Sequence, residues 1–427
     1  MNPLARFHSG RPVPPEHRSN FRHLYLDVAW FGIVVASSLS FVGVYSARLG
    51  GSALQLGLLS MGPAVANLAF ALPAGLWLEK QPIDAAVFWT AAFHRFFYVL
   101  WVFLPFFLGA QGQIWALIGL TLVMHIPGTA LAVGFNALFA EAVPPDWRGH
   151  VAAVRNAVMS LSIIVVSLVC GQILTRVPFP IGYQIVFGLG FLGALMSTVH
   201  LWFIVPSGRH RAPARARRRL RDMSWPHLGR RRSRQGAQPR RQLLRTEVLK
   251  GPFGRLIAVI AAFHLTLYLA IPLFPLHWVN NLHLTDSEIG LGSAVFYVSA
   301  FIGATQLARL VQRMGNRQLT AIGAMLMAAY PAFMAAAQGL PLFLAGSAAG
   351  GLGWSWMSGA LVNLLLEKVP DGDRPAYLAW YNLSINAALL IGALLGPVIG
   401  GWMGLALALA LFAVLRLVAA IAIWKWA

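Results

Sequence analysis

Two stretches decide how this chain is read: EAVPPDWRGHVAAVRN at 141–156 and EKVPDGDRPAYLAWYN at 367–382. At an offset of 226, Glu141, Val143, Pro144, Arg148, Ala153 and Asn156 fall on Glu367, Val369, Pro370, Arg374, Ala379 and Asn382, six identities in sixteen ungapped positions. A second match carries Gly57 and Ser60 onto Gly290 and Ser293 at an offset of 233, and drift in loop length accounts for the difference of seven. The chain therefore reads as two related halves in parallel order.

Working outward, twelve apolar runs appear, at about 24–47, 54–78, 85–108, 113–138, 151–174, 182–205, 254–279, 287–311, 318–337, 341–365, 376–399 and 402–424. Each is long enough to cross a hydrocarbon core of ~30 Å, which takes ~20 helical residues. Gly and Ala recur in them, and small residues let membrane helices approach closely. Pro lies inside several, tolerated where neighbours satisfy the freed carbonyls. No period-two alternation of the outer-membrane barrel kind is present. Hydrophobic residues are 58% and charged residues 11% of the 427, against ~25% charged in soluble domains, which excludes a soluble or disordered chain. The lone Cys170 excludes a disulfide framework. The expected fold is an all-α integral membrane protein with twelve transmembrane helices in two pseudo-symmetric six-helix halves. Its parts are a tail at 1–23, a first half at 24–205, a basic and largely disordered loop at 206–250, and a second half at 251–427.

The net charge of +20 is concentrated in that loop, where 15 of the 33 Lys and Arg face two acids, Asp222 and Glu247. Arg217–Arg219 and Arg230–Arg232 suit an anionic lipid surface. No aromatic platform accompanies them, so nucleic acid is not an expected partner. The polar residues 1–23 do not read as a cleavable signal. Loop Lys and Arg fall mostly on one side if the N-terminus is cytoplasmic, leaving only Arg48 and Arg176 on the other. Both termini and the basic loop are therefore expected in the cytoplasm.

Gly75-Leu76-Trp77-Leu78-Glu79-Lys80 follows the second run. Arg309 to Arg317, with Arg313, Gly315 and the trailing Arg317, follows the eighth. The pair, at equivalent places in both halves, resembles the loop signature of the major facilitator superfamily, and the resemblance covers residues ~22–424. The first copy lacks the following Gly and basic run, and the second lacks the acid. The helix 4 signature Arg-x-x-Gln-Gly is missing, since Met124-His125-Ile126-Pro127 stands there, and so is the antiporter pattern of helix 5. The resemblance implies a bacterial secondary transporter of the twelve-helix type, working by alternating access. It implies a cytoplasmic gate built from Gly75, Glu79, Lys80, Glu141, Arg148, Arg313, Gly315, Glu367 and Arg374, and a cavity lined by helices 1, 4, 7 and 10.

Ionisable groups deep in a membrane are costly and become functional candidates. Depth counted from the ends of the runs puts no acid at the midplane, with Asp27 about a turn inside. His125 and His264 are then the midplane groups able to titrate near neutrality, and with Asp27 they are the proton-coupling candidates. Arg95, in the middle of the third run, is either held structurally by carbonyls and rings or serves as an anion site, with the structural role preferred. Arg416 reads as a snorkelling residue. Polar and aromatic cavity candidates are Trp30, Ser37, Ser38, Tyr45, Tyr268, Trp354, Trp356, Tyr381 and Asn386, together with Arg95. Aromatic and amide lining suits a partly apolar organic solute. No Walker sequence, nucleotide loop, metal-ligand cluster or nucleophile elbow is present, so no enzyme activity, cofactor or metal is expected.

The expected function is secondary transport of a small organic solute across the inner membrane, coupled to protons, with export placed ahead of uptake and the protein a monomer. Uptake of an anionic metabolite, motivated by Arg95, is one alternative. A non-transporting lipid-handling or assembly factor on the same bundle is the other.

Overall fold

The computed structural model describes residues 13, 15–206, 246–369 and 374–427, with the backbone alone at 374 and 375. Pro370–Asp373 and most of the basic loop, where anionic lipid was expected, lie outside the described residues, and so does the side chain of Arg374.

The described chain is helical from end to end. In order the helices are α1 (Pro15–Arg48), α2 (Ala53–Leu78), α3 (Ile83–Phe107), α4 (Ala110–Ala142), α5 (Pro145–Arg176), α6 (Ile181–Trp202) and α7 (Pro252–Asn281). A continuous stretch, Asp286–Ala336, is two helices joined at Gly315, α8 at 286–314 and α9 at 316–336. Gly315 has φ 78°, in the left-handed region that glycine enters without a Cβ penalty. Then follow α10 (Leu340–Lys368), α11 (Arg374–Met403) and α12 (Leu405–Trp426). Ten helical stretches are long and apolar enough to span a bilayer, and one of these is the α8–α9 pair. The remaining helix, α10, has the length but carries Gly and Trp through its middle. The twelve helices match the twelve apolar runs of the sequence.

The chain packs as two compact units, Met1–Tyr45 with Ala69–Trp225, and Ser46–Leu68 with Pro226–Ala427. The first half of α2 thus packs with the second unit, where Gly57 makes the approach possible. A Cβ there would stand 2.2 Å from the Ala393 carbonyl oxygen of α11.

In the first unit, α1 packs on α5 and α6, and α3 on α4 and α6. One core cluster joins Phe21 and Leu24 of α1, Val87 and Ala91 of α3, Leu138 of α4, Val151 of α5 and Leu201 of α6. In the second unit, α7 packs on α11 and α12, and the α8–α9 stretch on α10 and α12. Its core joins Leu256 and Phe263 of α7, Met327 of α9, Met357 and Leu361 of α10, and Ile423 of α12.

Arg416 of α12 corrects the sequence reading. It does not snorkel; it is 1% exposed. Its guanidinium donates to Met327 O at 3.0 Å, Thr266 O at 3.0 Å and Leu267 O at 3.3 Å. The Met327 carbonyl is free to accept because Pro331, four residues on, has no N–H to give it. A permanent charge is therefore held by carbonyl dipoles from α7 and α9, a partner set that charge patterning in the sequence does not display.

Candidate functional site

The polar centre of the first unit is Asp27. A 3-10 turn at Pro15–His17 leads directly into α1, whose α-helical part begins at Arg18. Asp27 is therefore about 13 Å along the axis at ~1.5 Å per residue. Counting from the edge of the apolar run puts it only about a turn inside and leaves Arg95 without an acid at its depth. The early helix start overturns both expectations. Asp27 Oδ1 lies 3.6 Å from the Arg95 guanidinium, and Asp27 Oδ2 lies 3.3 Å from that of Arg155. The Ser197 hydroxyl donates to Oδ1 at 2.5 Å. One carboxylate from α1 thus collects arginines from α3 and α5 and a hydroxyl from α6.

The cluster is largely shut off from water, with side-chain exposures of 5% for Asp27, 7% for Arg95 and 14% for Arg155. Arg95 also donates to Thr198 Oγ1 at 3.0 Å, and its guanidinium carbon stands 5.7 Å from the Phe31 ring centre. Arg155 lies over Phe135 at 4.4 Å. Ring faces attract cations, more strongly where water is excluded. Two guanidinium groups against one carboxylate leave the cluster with one positive charge in excess. Arg95 Nε is buried with no hydrogen-bond partner among the described residues.

Sequence reasoning missed Arg155 altogether. The repeat held the signal: at the offset of 226, Arg155 stands where the second half has Tyr381, itself a cavity candidate.

The other candidates of the first unit are packed against neighbouring backbone. His125 Nδ1 lies 2.7 Å from Thr121 O in its own helix, and its ring is 5.5 Å from that of His94, whose Nδ1 meets Met124 O at 2.8 Å. Ser37 donates to Ile33 O at 2.6 Å, and Ser37 and Ser38 are fully buried against α6, where Gly190 leaves them room. They sit in a π-helical turn, Val35–Leu39. Trp30 offers its carbonyl to the close approach of Gly193. Tyr45 is buried, donates to Gln113 Oε1 and meets Phe179, Tyr183 and Phe187.

In the second unit His264 Nδ1 lies 2.8 Å from Ile260 O, and the Tyr268 ring is 6.3 Å away. Gly392 lets α11 approach Tyr268 closely. Asn386 accepts from Asn67 of α2 at 3.1 Å and donates to Asn382 O at 2.8 Å. Tyr381 is half-buried against the core, Trp354 is exposed, and Trp356 has a buried indole N–H without a partner among the described residues.

Of the expected gate residues, Gly75, Glu79 and Glu141 share a cavity of about 680 Å³, lined also by Gln81 and Pro206. Lys80 is exposed beside it. Arg148 donates to Val143 O at 3.2 Å and Ala140 O at 2.6 Å, capping the last carbonyls of α4. Glu367 accepts from Asn316 at 2.5 Å next to the Gly315 turn, and Arg313 is exposed.

A family model described as Major Facilitator Superfamily matches residues 28–276 and 256–427. The chain belongs to the Major Facilitator Superfamily. Solved structures of similar fold include a D-xylose-proton symporter (TM-score 0.69, 16% identity, covering 96% of this chain and 97% of that one). A bacterial homologue of the iron transporter ferroportin in an inward-facing state is similar too (TM-score 0.68, 15% identity, 97% and 99% covered), as is a nucleoside transporter (TM-score 0.64, 12% identity, 94% and 98% covered). No curated protein matches the sequence. As a superfamily member the protein is a multi-pass membrane protein of the transporter class, not of an enzyme class.

Proposed function

We propose that this superfamily member is a proton-coupled secondary transporter that moves a small organic solute across a bacterial inner membrane by alternating access, with both termini in the cytoplasm. The observation that carries the reading is Asp27 held between Arg95 and Arg155. A proton on Asp27 removes the single negative charge and leaves two guanidinium groups facing one another in a site of low dielectric. Movement of α5, or arrival of an anionic group, relieves that repulsion. Proton occupancy is thereby tied to helix position, which is what coupling requires. One structural relative is by name a proton symporter, in keeping with this reading.

Export is the direction we assign, and the aromatic and amide character of Trp30, Tyr268, Trp354, Tyr381 and Asn386 suits a partly apolar solute. The excess positive charge of the Asp27 cluster favours one other reading, uptake of an anionic metabolite.

The test is transport by purified protein in liposomes loaded with a pH-sensitive dye, using compounds first selected by a thermal-shift panel of metabolites and drugs. Asp27→Asn is expected to bind the selected compound but to lose the pH-gradient response, while Asp27→Glu keeps part of it. His125→Gln and His264→Gln are expected to retain it. Gradient-driven movement undiminished in Asp27→Asn would overturn the assignment of Asp27, and its loss in the histidine variants would return the role to them.

A further inference from the structure

Helix α1 is tied by three polar contacts to α6 and to the segment that follows it. At the start of α1, Asn20 donates to Val205 O at 2.7 Å and accepts from Val205 N at 3.0 Å. One turn on, His23 Nδ1 lies 3.0 Å from His200 Nδ1. One turn deeper, Asp27 accepts from Ser197 at 2.5 Å. The order 23, 27 on α1 against 200, 197 on α6 is that of an antiparallel pair, with polar contacts set among the apolar residues Phe21, Leu24 and Leu201. Apolar residues would pack such an interface at less desolvation cost. Asp27 is already satisfied by Ser197 and the arginines, so the histidine pair is not needed to neutralise it.

A nitrogen-to-nitrogen contact of 3.0 Å has one physical meaning for two imidazoles: one Nδ1–H donates and the other Nδ1 lone pair accepts. With both rings neutral, one carries its proton at Nδ1 and the other at Nε2. Both rings are part-exposed, and His23 stacks on Phe203 at 4.8 Å, which fixes its plane. The charges acting on His23 come from His200 and Arg22, and those on His200 from Asp27 and Arg22. Facing Asp27 from the remaining helices are Arg95 of α3 and Arg155 of α5.

We propose that His23 and His200 form a proton relay that connects Asp27 to the aqueous phase at the start of α1. A proton taken from water at Nε2 of His23 is matched by release of the Nδ1 proton to His200 Nδ1, and His200 gives up its own Nε2 proton inward. No other bond changes. The last step covers the three residues from His200 to Ser197, ~4.5 Å of helix rise, and calls for one bridging water. This inference rests on Asp27 being the coupling carboxylate and adds how it is loaded.

The test is time-resolved infrared spectroscopy of the full-length protein in detergent after a caged-proton pH jump. The protonated-carboxyl stretch is assigned to Asp27 by its shift in Asp27→Glu. Protonation of Asp27 is expected to slow in His23→Gln and His200→Gln by on the order of a hundredfold, the lower end of what a positioned proton donor contributes. Imidazole added to the medium is expected to restore much of the rate, which it would not do if the histidines merely held the helices together. On the unaltered protein, ¹⁵N-histidine NMR is expected to show one Nδ1-protonated and one Nδ1-bare ring in this pair. Unchanged rates in both variants, or two rings of the same tautomer, would overturn the relay while leaving Asp27 as coupling site. A carboxyl band that never titrates in any variant would overturn both.

Discussion

Arg95 of α3 and Asp27 of α1 face each other at 3.6 Å with side-chain exposures of 7% and 5%. A sequence count from the helix ends put them at different depths. In the second unit Arg416 of α12 does the equivalent job without an acid, reaching α7 and α9. Each unit therefore has a buried arginine pinning three helices, the first, third and sixth in one and the seventh, ninth and twelfth in the other. The arginine comes from the third helix in the first unit and from the last helix in the second.

Because two arginines share one acid, the acid is the costlier partner to remove. Asp27→Asn is expected to destabilise the protein by about 3–5 kcal/mol, the range for breaking a buried ion pair. Arg95→Gln is expected to cost less, because Arg155 still serves Asp27. Thermal unfolding in detergent ranks the two, and the double variant Asp27→Asn/Arg95→Gln should lose less than the sum of the singles. An Arg95 variant less stable than the Asp27 variant would refute the sharing.

Removing the carbonyl clamp of α12 should be visible in the same assay. Arg416→Met deletes three hydrogen bonds and leaves the Met327 carbonyl without its donor, at about 1–3 kcal/mol for the buried unsatisfied group. Arg416→Met combined with Pro331→Ala, which restores a backbone N–H to Met327 O, is expected to recover part of the loss. No recovery would show that Thr266 and Leu267 carry the clamp.

Close packing of α2 on α11 depends on the absence of a side chain at Gly57. Gly57→Ala brings a Cβ within 2.2 Å of the Ala393 oxygen, and backbone cannot give way as a flexible side chain can. The expected cost is about 1–3 kcal/mol. Gly401→Ala, where a Cβ meets open space, is the control and should be near neutral. Equal melting temperatures for the two variants would contradict the described packing.

At the far end of α1, Arg48 donates to Asp286 Oδ1 at 3.1 Å and to Leu284 O at 2.7 Å. Side-chain exposures of 27% and 12% leave this pair open to screening. A double-mutant cycle with Arg48→Gln and Asp286→Asn is expected to give a coupling of about 0.2–1 kcal/mol at low salt, shrinking as salt rises. A coupling that stays constant up to molar salt would mean the pair is more deeply buried than its exposure indicates.

Composition and hydropathy were enough to place the chain in a membrane and to count its helices. Those properties sum over twenty or more residues at a time, and the bilayer selects for them directly. The repeat of 141–156 in 367–382 was legible for the same reason, since both stretches serve one local task at the end of one helix and the start of the next. The candidate site was legible only in pieces. Asp27, Arg95 and the histidines stood out as polar residues in apolar runs, but their partners did not. Arg155, Ser197 and His200 lie more than a hundred residues from Asp27 in sequence, and a rotation of any helix by one residue turns a side chain by ~100°. Which of them meet is settled by helix rotation and by the starting residue of α1. The sequence alone determined that charges would lie inside the membrane; only the tertiary structure decided that one carboxylate would gather two arginines, and that two histidines a turn away would meet.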